Sequence, residues 1–175
     1  MPADTPESGE SRQPRDEEPR VPIVSEQTVY RVSERLVDDI EGFLDEVIEA
    51  LKGENPELIG VLADTDWQHR EAVLMTLHVG YGLLMHEAQS TPGYPIPVVT
   101  DETVSVLKVE IGNFGREGVR QRYEDEMSRD NMHLMHGTGR IMMSDPDLDP
   151  SAPHECIEAL SIMYQLLKLQ EQRQA

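Results

Sequence analysis

The residues with the most obvious chemical potential stand together in Met132-His133-Leu134-Met135-His136. On a helix each residue turns about 100°, so His133 and His136 lie about 60° apart around the axis. Met132 and Met135 share a neighbouring arc. Thioethers with imidazoles suit Cu(I), and imidazoles with a carboxylate suit zinc. His154 and Glu158, one turn apart further along the chain, complete a candidate transition-metal set of His133, His136, His154 and Glu158. The competing expectation is that the methionines fill gaps in a core and the histidines sit at a helix end. A di-metal carboxylate centre needs Glu-x-x-His pairs, and no glutamate here has a histidine three residues later. No other cofactor is expected.

Other candidates carry less. Asp145, Asp147 and Asp149 are spaced like the opening of a calcium loop, but Pro150 and Cys156 stand where that loop needs glycine and glutamate. Cys156 and His154 fall on opposite sides of a helix, so Cys156 is expected as a small core residue. Arg116, Arg120 and Arg122 are the only basic concentration, diluted by Glu117, Glu124, Asp125 and Glu126. That is the pattern of exposed ion pairs and not of a nucleic-acid surface. No nucleophile and base stand in a supporting context, so the sequence favours a non-enzymatic protein.

The elements that position these residues are helical. From Ser25 to Lys52 one apolar stripe (Leu36, Ile40, Phe43, Val47, Leu51) runs beside an acidic one (Glu34, Asp38, Glu41, Asp45, Glu49), and Gly53 is the expected stop. The acidic stripe is a candidate surface for a basic protein partner. Asn55-Pro56 opens a short helix. The pair Thr65 and Gln68 predicts the start of a helix near 66–89, whose body from Ala72 to His86 has no Asp, Glu, Lys or Arg and is therefore buried. Gly80 and Gly82 mark a close helix neighbour. Thr100 starts the next helix, which Gly112, Gly115 and Gly118 should break around 113–117 before it resumes over 119–136. A last helix follows Pro153, and its apolar run Ile157–Leu169 suggests burial between subunits, hence a homodimer.

The expectation is an all-α bundle of four to five long helices over residues 25–175, with a disordered tail over 1–24. No strand pattern and no repeat of 20–50 residues stands out. The first residues lack a secretory apolar run, no membrane span is visible, and a single cysteine suits a reducing, cytoplasmic setting.

Charge supplies the remaining signal. There are 34 acidic and 15 basic residues, a net charge of −19, and the excess is concentrated over residues 25–64. Such a surface repels itself until salt screens it. The sequence thus reads as a non-enzymatic interaction or regulatory protein of a salt-adapted cytoplasm, with a small metal-binding protein as the alternative. Thermal melting in a KCl series should show Tm rising steeply into the molar range, where the Debye length falls to about 3 Å. A flat series would remove salt adaptation and leave the acidic stripe as a docking face.

Overall fold

The computed structural model describes residues 18–90 and 94–174. Seven helices follow one another: α1 (Glu26–Asp38), α2 (Ile40–Glu54), α3 (Pro56–Asp64), α4 (Arg70–Ser90), α5 (Asp101–Asp130), α6 (Met132–Met143) and α7 (Ala152–Gln174). No strand occurs among the described residues. The all-α expectation holds, but seven helices replace the four to five expected, because single residues break what periodicity alone would join.

Asp39 divides the helix expected over 25–52. Its backbone leaves helical space (φ −154°, ψ 74°) while its N–H still donates to Arg35 O, and its carboxylate accepts from the Gly42 N–H at 3.0 Å. One aspartate ends α1 and caps α2. Gly53 does not stop α2, which runs on to Glu54 and ends at Asn55. Asn131 cuts the segment expected over 119–136 in the same way. The break expected at 113–117 is present at Gly115, whose φ of 74° and ψ of 162° only glycine adopts without strain. The helix expected from Thr65 starts instead at Arg70: the Thr65 hydroxyl donates back to Val61 O, and Glu155 accepts from the Gln68 and His69 N–H groups at 2.9 and 2.6 Å.

The chain is built twice over the same plan. An extended strap enters a helix, a break turns it into a second helix, an asparagine starts a third, and a long buried helix closes the unit. The first unit runs through α1–α4 and the second through α5–α7. Pro22-Ile23-Val24-Ser25 matches Pro97-Val98-Val99-Thr100. The buried residues Thr28, Val29 and Val32 of α1 match Thr103, Val104 and Leu107 of α5. Phe43, Val47 and Leu51 of α2 match Val119, Tyr123 and Met127. Tyr81-Gly82-Leu83-Leu84 matches Tyr164-Gln165-Leu166-Leu167, all buried. The repeat is half the chain long, outside the 20–50 residue periods in which none stood out.

The two units are interlocked. Asn55 of the first donates from Nδ2 to Pro97 O (2.8 Å) and accepts at Oδ1 from the Val99 N–H (2.9 Å), holding the strap of the second. Asn131 of the second does the same to the first, donating to Pro22 O (2.8 Å) and accepting from the Val24 N–H (3.0 Å). Both asparagines are almost fully buried. Each amide thus completes a strap from the other unit as a neighbouring strand would. The straps meet where the Arg20 N–H donates to Pro95 O. α3 packs across onto α5 and α7, and α6 onto α1 and α4. Within each unit the strap end is tied to its own long helix: Ser25 and Thr28 donate to Glu87, and Thr100 and Thr103 to Gln170.

α4 and α7 pack together at the centre. A Cβ on Gly80 would stand 2.7 Å from Leu160, and one on Gly82 2.3 Å from Phe43, so α7 and α2 approach as closely as the glycines implied. α7 is also where the reasoning for a homodimer fails. Its apolar residues, including Leu160, Met163, Leu166 and Leu167, are buried inside one chain, which leaves that face nothing to offer a second subunit. Of the expected tail 1–24, residues 1–17 lie outside the described residues. Residues 18–24 belong to no helix, and of them Val21 and Val24 are buried while Glu18, Arg20 and Ile23 are exposed.

Asn55→Ala and Asn131→Ala should each lower stability by roughly 2–3 kcal/mol, because each strands a buried strap N–H and C=O. Urea unfolding measures this, and a loss below about 0.5 kcal/mol for either would contradict the interlock.

Candidate functional site

The candidate metal residues do not converge. His136 and Met132 are exposed, and His133 and Met135 are half-buried on α6. His154 faces Glu117 at 3.5 Å. Glu158 is buried and accepts from Arg116 Nε at 2.6 Å, while the Arg116 guanidinium covers the Trp67 ring at 4.8 Å. Among the described residues, no three of His, Cys, Asp or Glu form a group that could hold a metal ion. Cys156 is buried, as its register implied, and burial pushes its thiol pKa up. Arg120 pairs with Glu117 and Glu124, which lowers the Glu117 pKa through the Arg120 hydrogen bond. Asp145 and Asp149 accept from the Asp147 and Ser151 N–H groups and so shape their own loop.

The acidic stripe is fully on the surface. Glu34 and Asp38 of α1 and Glu41, Asp45 and Glu49 of α2 are all exposed, and none forms an ion pair among the described residues. Because Asp39 turns the chain, the five carboxylates follow two helices and not one straight face.

Beside that stripe the two units differ. In the second, Arg116 at the start of the helix after Gly115 pairs with Glu158 of the long helix, and Trp67 lies over the pair. The corresponding residues of the first unit are Ile40 and Met75. An open groove of about 600 Å³ lies there between α1, α4 and α6, lined by Leu36, Val37, Ile40, Met75, Ile141 and Met142. Val37 is 86% exposed, Ile40 44% and neighbouring Met143 66%, a large apolar display for so charged a chain. Sequence periodicity put Leu36 and Ile40 on one apolar stripe with Phe43. Leu36 is half-buried against the core, whereas Ile40, just past the turn at Asp39, is exposed.

No family model, no curated protein and no solved structure matches this chain. No helix among the described residues is long and apolar enough to cross a membrane.

α4 also carries two half-buried histidines. Burial lowers the pKa of His78; burial also lowers that of His86, partly offset by Glu46 at 3.6 Å and reinforced by Arg35 and Arg31. Both bind a proton less readily in the fold than in the unfolded chain. Their contribution to stability is therefore complete above the unfolded-state pKa of about 6.5 and is lost as pH falls below it. Urea unfolding at a series of pH values should show stability declining below about pH 6.5, and His78→Gln should flatten part of that slope. A slope unchanged in His78→Gln would exclude His78 as a source.

Proposed function

We propose that this is a non-enzymatic interaction or regulatory protein of a salt-rich cytoplasm, which docks a partner helix with an apolar face and basic flanks. The observation that carries this reading is the groove at Val37, Ile40 and Met75, open where the second unit is closed by Arg116 and Glu158. Where the second unit has an ion pair, the matching positions of the first contribute to an apolar floor. The groove has the form that takes helix anchors at three- and four-residue spacing.

Charge favours a basic partner. Asp38, Asp39, Glu41 and Asp145 lie at or beside the groove, against Arg140 alone among its lining residues. A second copy of a chain with net charge −19 would bring like charges together. The exposed stripe Glu34, Asp38, Glu41, Asp45 and Glu49 continues the acidic surface along α1 and α2 beside Val37 and Ile40.

Fluorescence anisotropy with a labelled synthetic leucine–lysine amphipathic helix, run in molar KCl, tests this. Saturable one-to-one binding is expected, with a loss of roughly tenfold or more in Val37→Glu and in Ile40→Arg. The same peptide with its leucines changed to serine should not bind. Equal binding of the serine peptide would reduce the effect to bulk charge and overturn the groove. Sedimentation showing a dimer that Ile40→Arg dissociates would assign the groove to a second copy instead.

A further inference from the structure

The corner of the second unit that matches the groove is covered by an aromatic ring. Arg116 and Glu158 are the counterparts of Ile40 and Met75, and the Trp67 ring lies over that pair, its centre 4.8 Å from the Arg116 guanidinium carbon. Trp67 comes from the first unit, in the segment that follows α3. It is 5% exposed, and its Nε1–H donates to Leu62 O at 2.8 Å.

The groove lacks such a cover for a local reason. In the register that pairs Asn55 with Asn131, residues 64–69 match residues 140–145. α3 ends after nine residues, at Asp64, so Trp67 stands outside the helix and folds back over its end. α6 runs for twelve residues, to Met143, and keeps the matching segment helical. Arg140, Ile141 and Met142 therefore line one wall of the groove, and Met143, in register with Trp67, is 66% exposed. No aromatic side chain lines the groove. The first unit has a second opening, a cleft of about 680 Å³ between α2, α4 and the strap over 94–98. There Ala50, Met85 and Ala88 stand where the second unit has Glu126, Lys168 and Glu171. Its counterpart is closed by the ion pair of Lys168 and Glu171, with Glu171 accepting from the Val21 N–H at 2.7 Å. Only the groove thus has a matching corner that holds an inserted ring.

The groove is also lined for a ring. Val37, Ile40 and Met75 are apolar, and Met75 and Met142 bring thioethers, which pack favourably against aromatic rings. Ser33, Ser144 and Asp145 are among the lining residues and carry oxygens that can accept an indole N–H, the part Leu62 O plays for Trp67.

We propose that the partner helix anchors in this groove through one large aromatic side chain, an indole, seated against Ile40, Met75 and Met142 as Trp67 is seated in the matching corner. This anchor rests on the helix-docking reading above and names its central contact. Tryptophan is among the residues that concentrate binding energy at the centre of an interface.

Two helices, the leucine–lysine helix and a version with tryptophan at one central leucine position, test the anchor in molar KCl. The tryptophan helix should bind roughly tenfold more tightly by anisotropy. In NMR spectra of protein with isotope-labelled methionine methyl groups, its ring current should displace the Met75 and Met142 signals well beyond any change the leucine helix produces. Equal affinity of the two helices, or ring-current shifts confined to other methionines, would overturn the anchor while leaving helix docking in place. Should neither helix bind, helix docking falls, and N-acetyltryptophanamide decides the aromatic site on its own. Saturable shifts at Met75 and Met142 would support that site, and their absence would overturn it.

Discussion

The fold depends on two asparagine side chains that each complete a segment of the other half. Asn55 and Asn131 sit at helix junctions where the chain must leave helical geometry, and both are buried. Neither amide caps its own helix; each is given wholly to a strap from the opposite unit. The strap then delivers Ser25 or Thr100 to the start of a helix, and Thr28 or Thr103 to a polar anchor on the long helix behind it. Breaking one amide contact therefore loosens the entry to a helix in the other unit. The two units cannot part without losing both straps and the crossed packing of α3 and α6. The apolar face of the last helix is covered within the chain, by the packing of α7 on α4 and α5.

Against that shared frame, the differences between the units carry the functional argument. Where the second unit has Arg116 and Glu158, the first has Ile40 and Met75. Where the second has Lys168, Glu171 and Glu126, the first has Met85, Ala88 and Ala50. Charged pairs that close the second unit are thus replaced by apolar residues in the first, once on each of two faces. An ion pair that is partly buried gains Coulomb energy only against the cost of desolvating both charges, so apolar residues at the same positions need not weaken the fold. Both openings border the unit that bears the acidic stripe, and each is completed by the other unit, through Ile141 and Met142 in one and the strap over 94–98 in the other.

The helical character of the chain was legible because it rests on local pattern. The charge-free body from Ala72 to His86 is buried as its composition required, and Gly115 breaks its helix inside the expected window. The breaks at Asp39 and Asn131 were not legible. Each is a single residue inside a continuous apolar period, and what justifies Asn131 is the distant strap at Pro22 and Val24. Thr65 has the spacing of a helix start, yet Glu155 from the other unit supplies the cap further on. The repeat was present in Pro-Ile-Val-Ser and Pro-Val-Val-Thr, and in Tyr-Gly-Leu-Leu and Tyr-Gln-Leu-Leu. Loops of unequal length and an extra residue at the Gly115 break put these matches out of step. Of the set His133, His136, His154 and Glu158, Glu158 takes Arg116 as its partner, from a helix whose approach no local spacing encodes.

Native-state hydrogen exchange on the intact protein tests the interlock most directly. If each strap is locked by the opposite unit, the Val24 and Val99 amides will exchange only through global unfolding, with the same free energy as the core amides of α4 and α7. Exchange of either strap together with its own unit, at a free energy well below that of the other unit, would show two independently opening halves and contradict the account.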